Sequence, residues 1–486
     1  MLTVFVIYLV IVFLIGVLAE KFISKSEEGF YLGDRNFGPW ATAISAGATD
    51  TSGWIFIGAA GASYISGIST MWMLPGFIIG YLLNWFVVGP RLRKEGKELG
   101  ALSIPDYFSL KLDDGKNILK IVSSLVIIIF FVASMASQLT AAGKTLDATI
   151  SFDYNIGLIL SAAFVIGYAI FGGYRAVVLT DLTQGLIMLT VLLIFPLYMI
   201  FFELGGPANF FNTLQSIDPL LVSSIGGATG AAGFGIFIGL FAFGLGEPGQ
   251  PHIMQRFLSA RDDKTISQGS FIAMFWVIVV MTGSNLLGLI GRVLIPAIDD
   301  PEYIFPRLTI ETMNPLLAGV VLAAIFAAIQ STFSSQIMVS TQSFASDFLK
   351  GISKKTYTNK QLMFISRITM VTLGIIATFI ALLNIQSVFA LVLYAWAGLA
   401  ASFGPLLIFL LYTNVVTKAG ALSSIFTGTF VTIIWINTPW VAYLYELIPA
   451  TIASITVLLL VSKLTKRTDS INDELKSTKE AKYYEQ

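Results

Sequence analysis

Polar residues inside apolar stretches of this sequence have the types and spacing expected of a cation-binding site. Asp50 lies in residues 44–58, a run of small residues whose glycines and hydroxyls favour an unwound helix. A carboxylate inside an apolar span is costly, so it usually marks an ion or substrate pathway. Backbone carbonyls freed by unwinding would add further oxygen ligands. The alternative interpretation places Asp50 at a helix end on the membrane surface.

A second apolar stretch carries hydroxyl groups on one face. Positions i, i+3, i+4 and i+7 share one side of a helix, and here they are occupied by Ala328, Ser331, Thr332 and Ser335. Neutral hydroxyl oxygens suit a hard monovalent cation if bare carbonyls complete the ligand shell. The same small residues would also allow two helices to pack closely. Together with an unwound Asp50 segment, the stripe favours the ion site.

A third apolar stretch, residues 235–252, contains glycines and prolines that interrupt a helix. It includes Glu247, and polar groups at membrane depth need partners. We expect Glu247 either to contact a charged group of a substrate or to satisfy freed backbone amides. Ser134 and Gln138, in an earlier apolar stretch, leave the same two alternatives open.

Several other residues could belong to a pathway through the membrane. Asp181 lies close to the start of the sixth apolar stretch, where it either lines an inner gate or caps a helix at the surface. Aromatic side chains could form pocket walls or ordinary packing contacts; the candidates are Trp54, Phe243, Tyr394 and Trp396.

The composition indicates an all-α integral membrane protein that must position these residues within helices. Of the 486 residues, 56% are hydrophobic and 12% are charged, whereas soluble domains carry about 25% charged residues. We count about 13 apolar stretches long enough to span a bilayer, centred near residues 12, 51, 80, 131, 164, 190, 238, 282, 330, 374, 400, 426 and 451. Uninterrupted spans require helices. The absence of cysteine and the single histidine exclude disulfides and multi-histidine metal sites.

The same composition limits the partners and the chemistry. The net charge of zero gives no reason to expect nucleic-acid binding. No nucleophile and base are paired in the sequence, so we do not expect an enzyme. We expect a lipid bilayer and a small-molecule solute as partners, with no organic cofactor and no obligatory protein partner.

Lysine and arginine concentrate in alternate loops, which predicts the orientation in the membrane. The positive-inside rule places the N-terminus outside and the C-terminus in the cytoplasm of a multi-pass protein in the cell (inner) membrane. Residues 1–462 form the predicted transmembrane core. Residues 463–486 form a charged cytoplasmic tail.

The two interrupted stretches are the second and the seventh. An odd offset of five spans would invert the second unit relative to the first, and paired broken spans of this kind point to a central binding site. We therefore predict two inverted repeats, spans 2–6 (about 40–203) and spans 7–11 (about 229–412). Two unrelated kinks are the alternative.

Several stretches of the sequence resemble those of a known protein family. The chain resembles the sodium:solute symporter family, and within it the bacterial sodium/proline symporters. The resemblance extends over the whole membrane region and is strongest at residues 45–54, 172–181, 249–252, 331–332, 394–398 and 403–405.

The resemblance implies a leucine-transporter-type fold of two inverted five-helix repeats. It also implies that sodium is bound between the broken first core helix and the eighth. The implied ligands are the backbone carbonyls of Ala48, Thr51 and Ala328 and the hydroxyls of Ser331 and Thr332.

Further roles follow from the same resemblance. Asp50 matches an aspartate that the family needs for sodium coupling, and Asp181 matches a functionally sensitive aspartate near the inner gate. We expect both Asp50 and Asp181 to serve sodium coupling. Ser52 and Gly53 match positions linked to substrate binding. The full set of expected substrate-binding residues is Ser52, Gly53, Trp54, Ser134, Gln138, Phe243 and Glu247.

The pocket departs from that of the proline carriers that the chain resembles. Ser134 replaces a tyrosine, Phe243 a tryptophan, and Glu247 with Pro248 a tyrosine–phenylalanine pair. Loss of bulky aromatics enlarges the predicted site, and the extra acid could pair with an ammonium group. Proline remains a candidate, and other amino acids or a cationic amine compete with it.

We therefore predict a sodium-coupled symporter that imports a small polar solute, proline or a related amino acid, by alternating access. Sodium is the transported and coupling ion. A membrane solute sensor is the alternative from another class, and the short charged tail disfavours it. A proton-coupled carrier using Asp50 and Glu247 is disfavoured by the hydroxyl stripe.

Overall fold

In the computed structural model of the chain, the described residues are 1–19, 21, 26–227, 229–353, 357–384 and 386–484. Side chains are described for these residues except at 171–172, 231–232 and 467–484, so most of the predicted charged tail lies outside the described side chains. Within the described part, secondary structure is helical apart from one isolated bridge between Phe37 and Ala260.

The described residues form twenty α-helices. In chain order they are α1 Leu2–Ala19, α2 Glu27–Leu32, α3 Pro39–Trp54, α4 Ala60–Ser66, α5 Met73–Leu82, α6 Gly89–Glu98, α7 Ile104–Lys111, α8 Ile118–Ile150, α9 Tyr154–Tyr198, α10 Pro207–Ile217, α11 Gly230–Leu245, α12 Pro251–Ser259, α13 Asp263–Leu294, α14 Ile304–Thr312, α15 Pro315–Gln342, α16 Leu349–Ile352, α17 Asn359–Leu382, α18 Val388–Tyr412, α19 Lys418–Ile436 and α20 Leu447–Tyr484. Short π-helical turns occupy Ile55–Ala59, Leu83–Val88, Met199–Glu203 and Ser343–Phe348, and 3-10 turns occupy Gly33–Arg35, Gly67–Trp72, Pro219–Val222, Glu247–Gly249, Pro301–Tyr303 and Pro439–Ala442.

Ten helical segments of the described chain are long and apolar enough to cross a membrane. They are Leu2–Ala19, Pro39–Glu98, Ile118–Ile150, Gly173–Glu203, Asp263–Leu294, Pro315–Ile352, Asn359–Leu382, Val388–Tyr412, Lys418–Ile436 and Leu447–Lys466, and two shorter apolar helices cover Tyr154–Ile170 and Gly233–Leu245. The chain is thus an all-α, multi-pass membrane protein.

The predicted number of about 13 spans differs from these ten because two predicted spans share one long helical segment and two others form shorter helices. The predicted spans near residues 51 and 80 fall in one helical run, Pro39–Glu98, in which π and 3-10 turns replace open loops. The predicted spans near residues 164 and 238 correspond to the two shorter helices.

Both stretches predicted to be interrupted are broken in the structure. In α3 the break falls at Ser52, whose φ of 45° and ψ of −178° are far from helical values. The second break separates α11 from α12, where the 3-10 turn Glu247–Gly249 and two prolines stop regular hydrogen bonding. Each break therefore exposes helix ends in the interior of the protein.

Helix α15 forms the centre of the bundle and packs against α3, α8 and α9. Its residues are buried without interruption from Val321 to Gln342. Helix association within lipid depends on close packing rather than on a hydrophobic driving force. Gly47 illustrates this on α3, since a Cβ atom there would lie 2.7 Å from the indole of Trp276 on α13.

Candidate functional site

The break in α3 is held open by a glutamine from α8. The backbone N–H of Gly53 donates to Gln138 Oε1 at 2.8 Å, and Gln138 Nε2 donates to Ser52 Oγ at 3.3 Å. The Ser52 hydroxyl also accepts from the N–H of Trp54 at 3.2 Å. Gln138 therefore satisfies polar groups that the helix break releases, as a buried break requires.

Carbonyl groups at the end of the first half of α3 lie against the hydroxyl stripe of α15. Ser331 Oγ donates to the carbonyl of Ala48 at 2.9 Å and contacts the carbonyl of Ala328 at 3.1 Å. Thr332 Oγ1 donates to the carbonyl of Thr49 at 2.8 Å. The last four carbonyls of a helix segment have no partner within it, so α15 supplies partners across the interface.

The structure thus brings together four of the five residues expected to bind sodium, Ala48, Ala328, Ser331 and Thr332. The hydroxyl of Ser331 contacts the carbonyls of both Ala48 and Ala328. The neighbouring Thr332 contacts the next carbonyl of α3, that of Thr49. Thr51 is the last residue before the break; it is buried, and its hydroxyl donates to the carbonyl of its own helix at Gly47, 2.8 Å away. These are uncharged, hard oxygen atoms, and such atoms at an unwound helix suit a sodium ion.

A small cavity lies beside this junction. Its volume is about 10 Å³, close to the least that one water molecule needs. The lining combines polar groups with aromatic rings and includes Asp50, Ser52, Trp54, Phe131, Ser134, Gln250, His252, Thr332, Gln336 and Trp396. Gln336 Nε2 donates to Ser134 Oγ at 2.8 Å across the cavity wall.

The residues expected to bind substrate are only partly gathered around this cavity. Ser52, Trp54 and Ser134 line it, whereas Gly53 and Gln138 lie directly behind the helix break. Phe243 packs behind Trp54, with ring centroids 5.2 Å apart, and lines a different cavity.

Glu247 lies outside the lining of the small cavity. Asn84 Nδ2 donates to Glu247 Oε2 at 2.9 Å, and the carboxyl groups of Glu247 and Asp50 lie close to each other. Tyr81 OH donates to Asp50 Oδ2 at 2.6 Å. The two acidic side chains therefore meet where the two broken helices approach α5.

Asp181 belongs to a second buried cluster and does not cap a helix at the surface. Both Asp181 and Arg256 are fully buried, and Arg256 donates to Asp181 Oδ2 at 2.9 Å. Ser45 Oγ donates to the same carboxylate oxygen at 2.6 Å, while Arg256 also donates to Ser335 Oγ at 2.5 Å. This cluster ties α3, α9, α12 and α15 together next to the junction of α3 and α15.

Sequence reasoning missed several residues of these sites. Gln336 follows Thr332 by four positions, so the helical spacing of the hydroxyl stripe could have revealed it. Arg256 could have been noticed as a basic residue directly after a Gly/Pro-broken span. Tyr81 and Asn84 carry no such signal, because their roles depend on which helices pack together.

Comparisons with known proteins identify related sequences. A family model described as the sodium:solute symporter family matches residues 30–428. Sodium/proline symporters of Staphylococcus aureus, from strains NCTC 8325 and N315 among others, are 38% identical over 478 residues, covering 95% of this chain and 92% of theirs.

Solved structures share the fold. A Na⁺-coupled sialic acid symporter in a substrate-bound outward-open state superposes with a TM-score of 0.79 at 21% identity, covering 95% of this chain and 97% of that one. Mhp1 in an inward-facing conformation gives a TM-score of 0.54 at 13% identity, with 88% and 91% covered.

These relatives are transporters. The matched residues include both broken helices and the hydroxyl stripe of α15. This chain belongs to the sodium:solute symporter family.

Proposed function

We propose that this protein imports proline or a closely related amino acid together with sodium. The observation that carries the proposal is the Ser331 hydroxyl, which lies 2.9 Å from the carbonyl of Ala48 and 3.1 Å from that of Ala328. Such a junction offers several oxygens to one cation. The choice of solute is supported by the sodium/proline symporters that are 38% identical over 95% of the chain.

Sodium would be held by oxygens from both sides of the junction. Its proposed ligands are the carbonyls of Ala48, Thr51 and Ala328 and the hydroxyls of Ser331 and Thr332. Entry of the ion would replace the hydrogen bonds that now join α3 to α15 and fix the Ser52–Gly53 backbone for the solute. Any gain in solute affinity must be matched by an equal gain in sodium affinity.

Asp50 contributes charge near this junction without being one of the five proposed ligands. Its hydrogen bond from Tyr81 fixes the carboxylate beside the broken helix. Asp181, which is paired with Arg256, is also assigned to sodium coupling, through stabilisation of the closed inner gate. Inward movement of one sodium ion also gains about 2.3 kcal/mol per 100 mV of membrane potential.

The proposed architecture is that of two inverted five-helix repeats, spans 2–6 and spans 7–11, within about 13 transmembrane helices. The matching breaks in α3 and between α11 and α12 support it. The proposed orientation has the N-terminus outside and residues 463–486 in the cytoplasm, consistent with the distribution of basic residues in the loops.

The geometry favours a zwitterionic amino acid over a cationic amine. Ser134 and Gln336 supply neutral polar groups to the cavity wall, and Trp54 and Trp396 supply apolar surface. Glu247 contacts Asn84 and Asp50 instead of lining the cavity. A cationic amine in the cavity would therefore lack Glu247 as an acidic partner.

Uptake by the purified full-length protein in proteoliposomes tests the proposal. The solutes are radiolabelled proline, alanine, glutamine and a cationic amine, each measured with a gradient of sodium or of potassium. We expect sodium-dependent proline uptake that competing neutral amino acids reduce and the amine does not. Uptake of every solute that is equal in both salts would overturn sodium coupling, and amine uptake exceeding proline uptake would overturn the choice of solute.

A further inference from the structure

Three buried side-chain oxygens next to the broken helices have no hydrogen-bond donor within the described part of the chain. They are Asp50 Oδ1, Asn84 Oδ1 and Glu247 Oε1. Their residues are 3%, 1% and 1% exposed. They come from three segments: α3, the π-helical turn after α5, and the 3-10 turn between α11 and α12.

The other polar atoms of these side chains fix the three groups beside one another. Tyr81 OH donates to Asp50 Oδ2 at 2.6 Å, and Asn84 Nδ2 donates to Glu247 Oε2 at 2.9 Å. The carboxyl groups of Asp50 and Glu247 lie close to each other. Gly80 makes room for this contact, since a Cβ atom there would lie 2.7 Å from Glu247 Cγ.

No basic side chain compensates this pair of acids among the residues that the structure describes. Neither acid takes part in an ion pair within 4.0 Å. On α12, Arg256 forms its ion pair with Asp181. The ring of His252 packs edge-on against Phe131, with ring centroids 5.2 Å apart. From α5, the titratable group that faces the pair is the Tyr81 hydroxyl. Two buried carboxyl groups in contact need either a compensating cation or a shared proton.

The set of unpartnered atoms favours a metal cation over a shared proton. A proton between the carboxyl groups would satisfy Asp50 Oδ1 and Glu247 Oε1 and would leave Asn84 Oδ1 without a partner. A hard cation can be coordinated by all three oxygens at once. Carboxylate and amide oxygens are the ligands that such cations prefer.

We propose that Asp50, Asn84 and Glu247 form a second sodium site, which joins the broken α3 to the break between α11 and α12. The inference rests on the proposed sodium symport and extends it, because the protein would then move two sodium ions with each solute molecule. Glu247 becomes an ion ligand in this arrangement. Replacement of Glu247 would therefore change the number of sodium ions bound per molecule and would not directly change the choice of solute.

Sodium binding to the purified full-length protein, measured with radioactive sodium in detergent and without any solute, tests this directly. We expect two sodium ions per wild-type molecule and one in Glu247→Gln. Asn84→Ala should weaken the second ion about tenfold while the first is unchanged. Glu446→Gln is the matched control, since Glu446 is also a buried acid but lines a different cavity, and it should still bind two ions.

Several results would overturn the proposal. One is a single sodium ion in the wild type; another is two ions in Glu247→Gln with unchanged affinities. A third is solute-coupled proton movement that Glu247→Gln abolishes while the sodium count stays the same, because it would identify a shared proton. If Glu247→Gln does not remain monodisperse, Asn84→Ala and Glu247→Asp decide, the latter being expected to retain a weakened second ion.

Failure of the proposed function would look different. A wild-type protein that binds no sodium would contradict the symport itself. A protein that binds two sodium ions and transports none of the tested amino acids would contradict only the choice of solute.

Discussion

The hydroxyl of Ser331 on α15 lies 2.9 Å from the carbonyl oxygen of Ala48 on α3, although 283 residues separate the two in the sequence. The contact exists because α3 is broken at Ser52 and leaves carbonyls without partners in their own helix. A movement of α15 away from α3 would disperse these oxygens. The distance between the two helices therefore controls whether a cation site exists.

Replacing Ser331 or Thr332 with alanine should weaken sodium binding. Each change removes one hydroxyl oxygen from the junction. We expect the half-saturating sodium concentration for uptake to rise about tenfold, equivalent to about 1.4 kcal/mol. Sodium titrations of proline uptake in proteoliposomes measure this.

Thr145→Ala is the control for that prediction. Thr145 is also a buried hydroxyl residue, but its Oγ1 donates to the carbonyl of Ala141 within α8 at 2.7 Å. Its removal should leave sodium dependence within twofold of the wild type. Unchanged sodium dependence in both junction variants would place the ion elsewhere.

The Asp181–Arg256 pair should behave as a buried structural ion pair with a second role in transport. Removing one partner, as in Arg256→Met, leaves a charge uncompensated and should cost about 3–5 kcal/mol of stability. The double variant Asp181→Leu with Arg256→Met should recover most of that loss, because similar apolar groups can replace a buried pair. Chromatography after heating in detergent compares the three proteins.

Transport by the same double variant separates the two roles. If the pair stabilises the closed inner gate, a stable double variant should still transport poorly. Restored transport together with restored stability would show that Asp181 and Arg256 serve the fold alone.

Much of this fold could be predicted from the sequence, because its signals are local. The small residues around Ser52 and the prolines after Glu247 identify the two breaks, and the helical spacing of Ser331 and Thr332 identifies the face of α15. The contacts of Tyr81 and Asn84 could not be predicted. They depend on which face of α5 meets the break between α11 and α12, and apolarity in lipid does not specify that face.

Gln336 should determine solute affinity without affecting sodium. It lines the small cavity, donates to Ser134 Oγ at 2.8 Å, and its Oε1 has no donor within the described residues. Gln336→Ala should raise the half-saturating proline concentration about tenfold. Sodium binding measured without solute should stay within twofold of the wild type.

Gln342→Ala provides the comparison on the same helix. Gln342 is buried but contacts Gln255 and the carbonyl of Leu102, away from the cavity. A normal proline affinity in Gln336→Ala, or an equal loss in Gln342→Ala, would contradict the assignment of Gln336 to the solute.

Gly53 should be required for the close approach of α3 and α15. A Cβ atom at Gly53 would lie 2.6 Å from Ile329 Cγ1 and 3.0 Å from Gln138 Oε1. Gly53→Ala should therefore push the broken helix away from α15 and raise the half-saturating concentrations of sodium and proline together. Gly167→Ala is the control, because no described atom outside its own stretch of helix lies within 4 Å of the position that its Cβ would take.

A second substitution identifies the clash as the cause. Ile329→Ala alone leaves a cavity and should destabilise the protein by about 2–5 kcal/mol. Combined with Gly53→Ala, it removes the opposing Cγ1 atom, so the new methyl group can occupy the space. The double variant should regain sodium affinity relative to Gly53→Ala, and the two changes should couple by at least about 0.5 kcal/mol. Strictly additive effects on sodium affinity would mean that Gly53 acts through backbone freedom and that the spacing of α3 and α15 is set by other contacts.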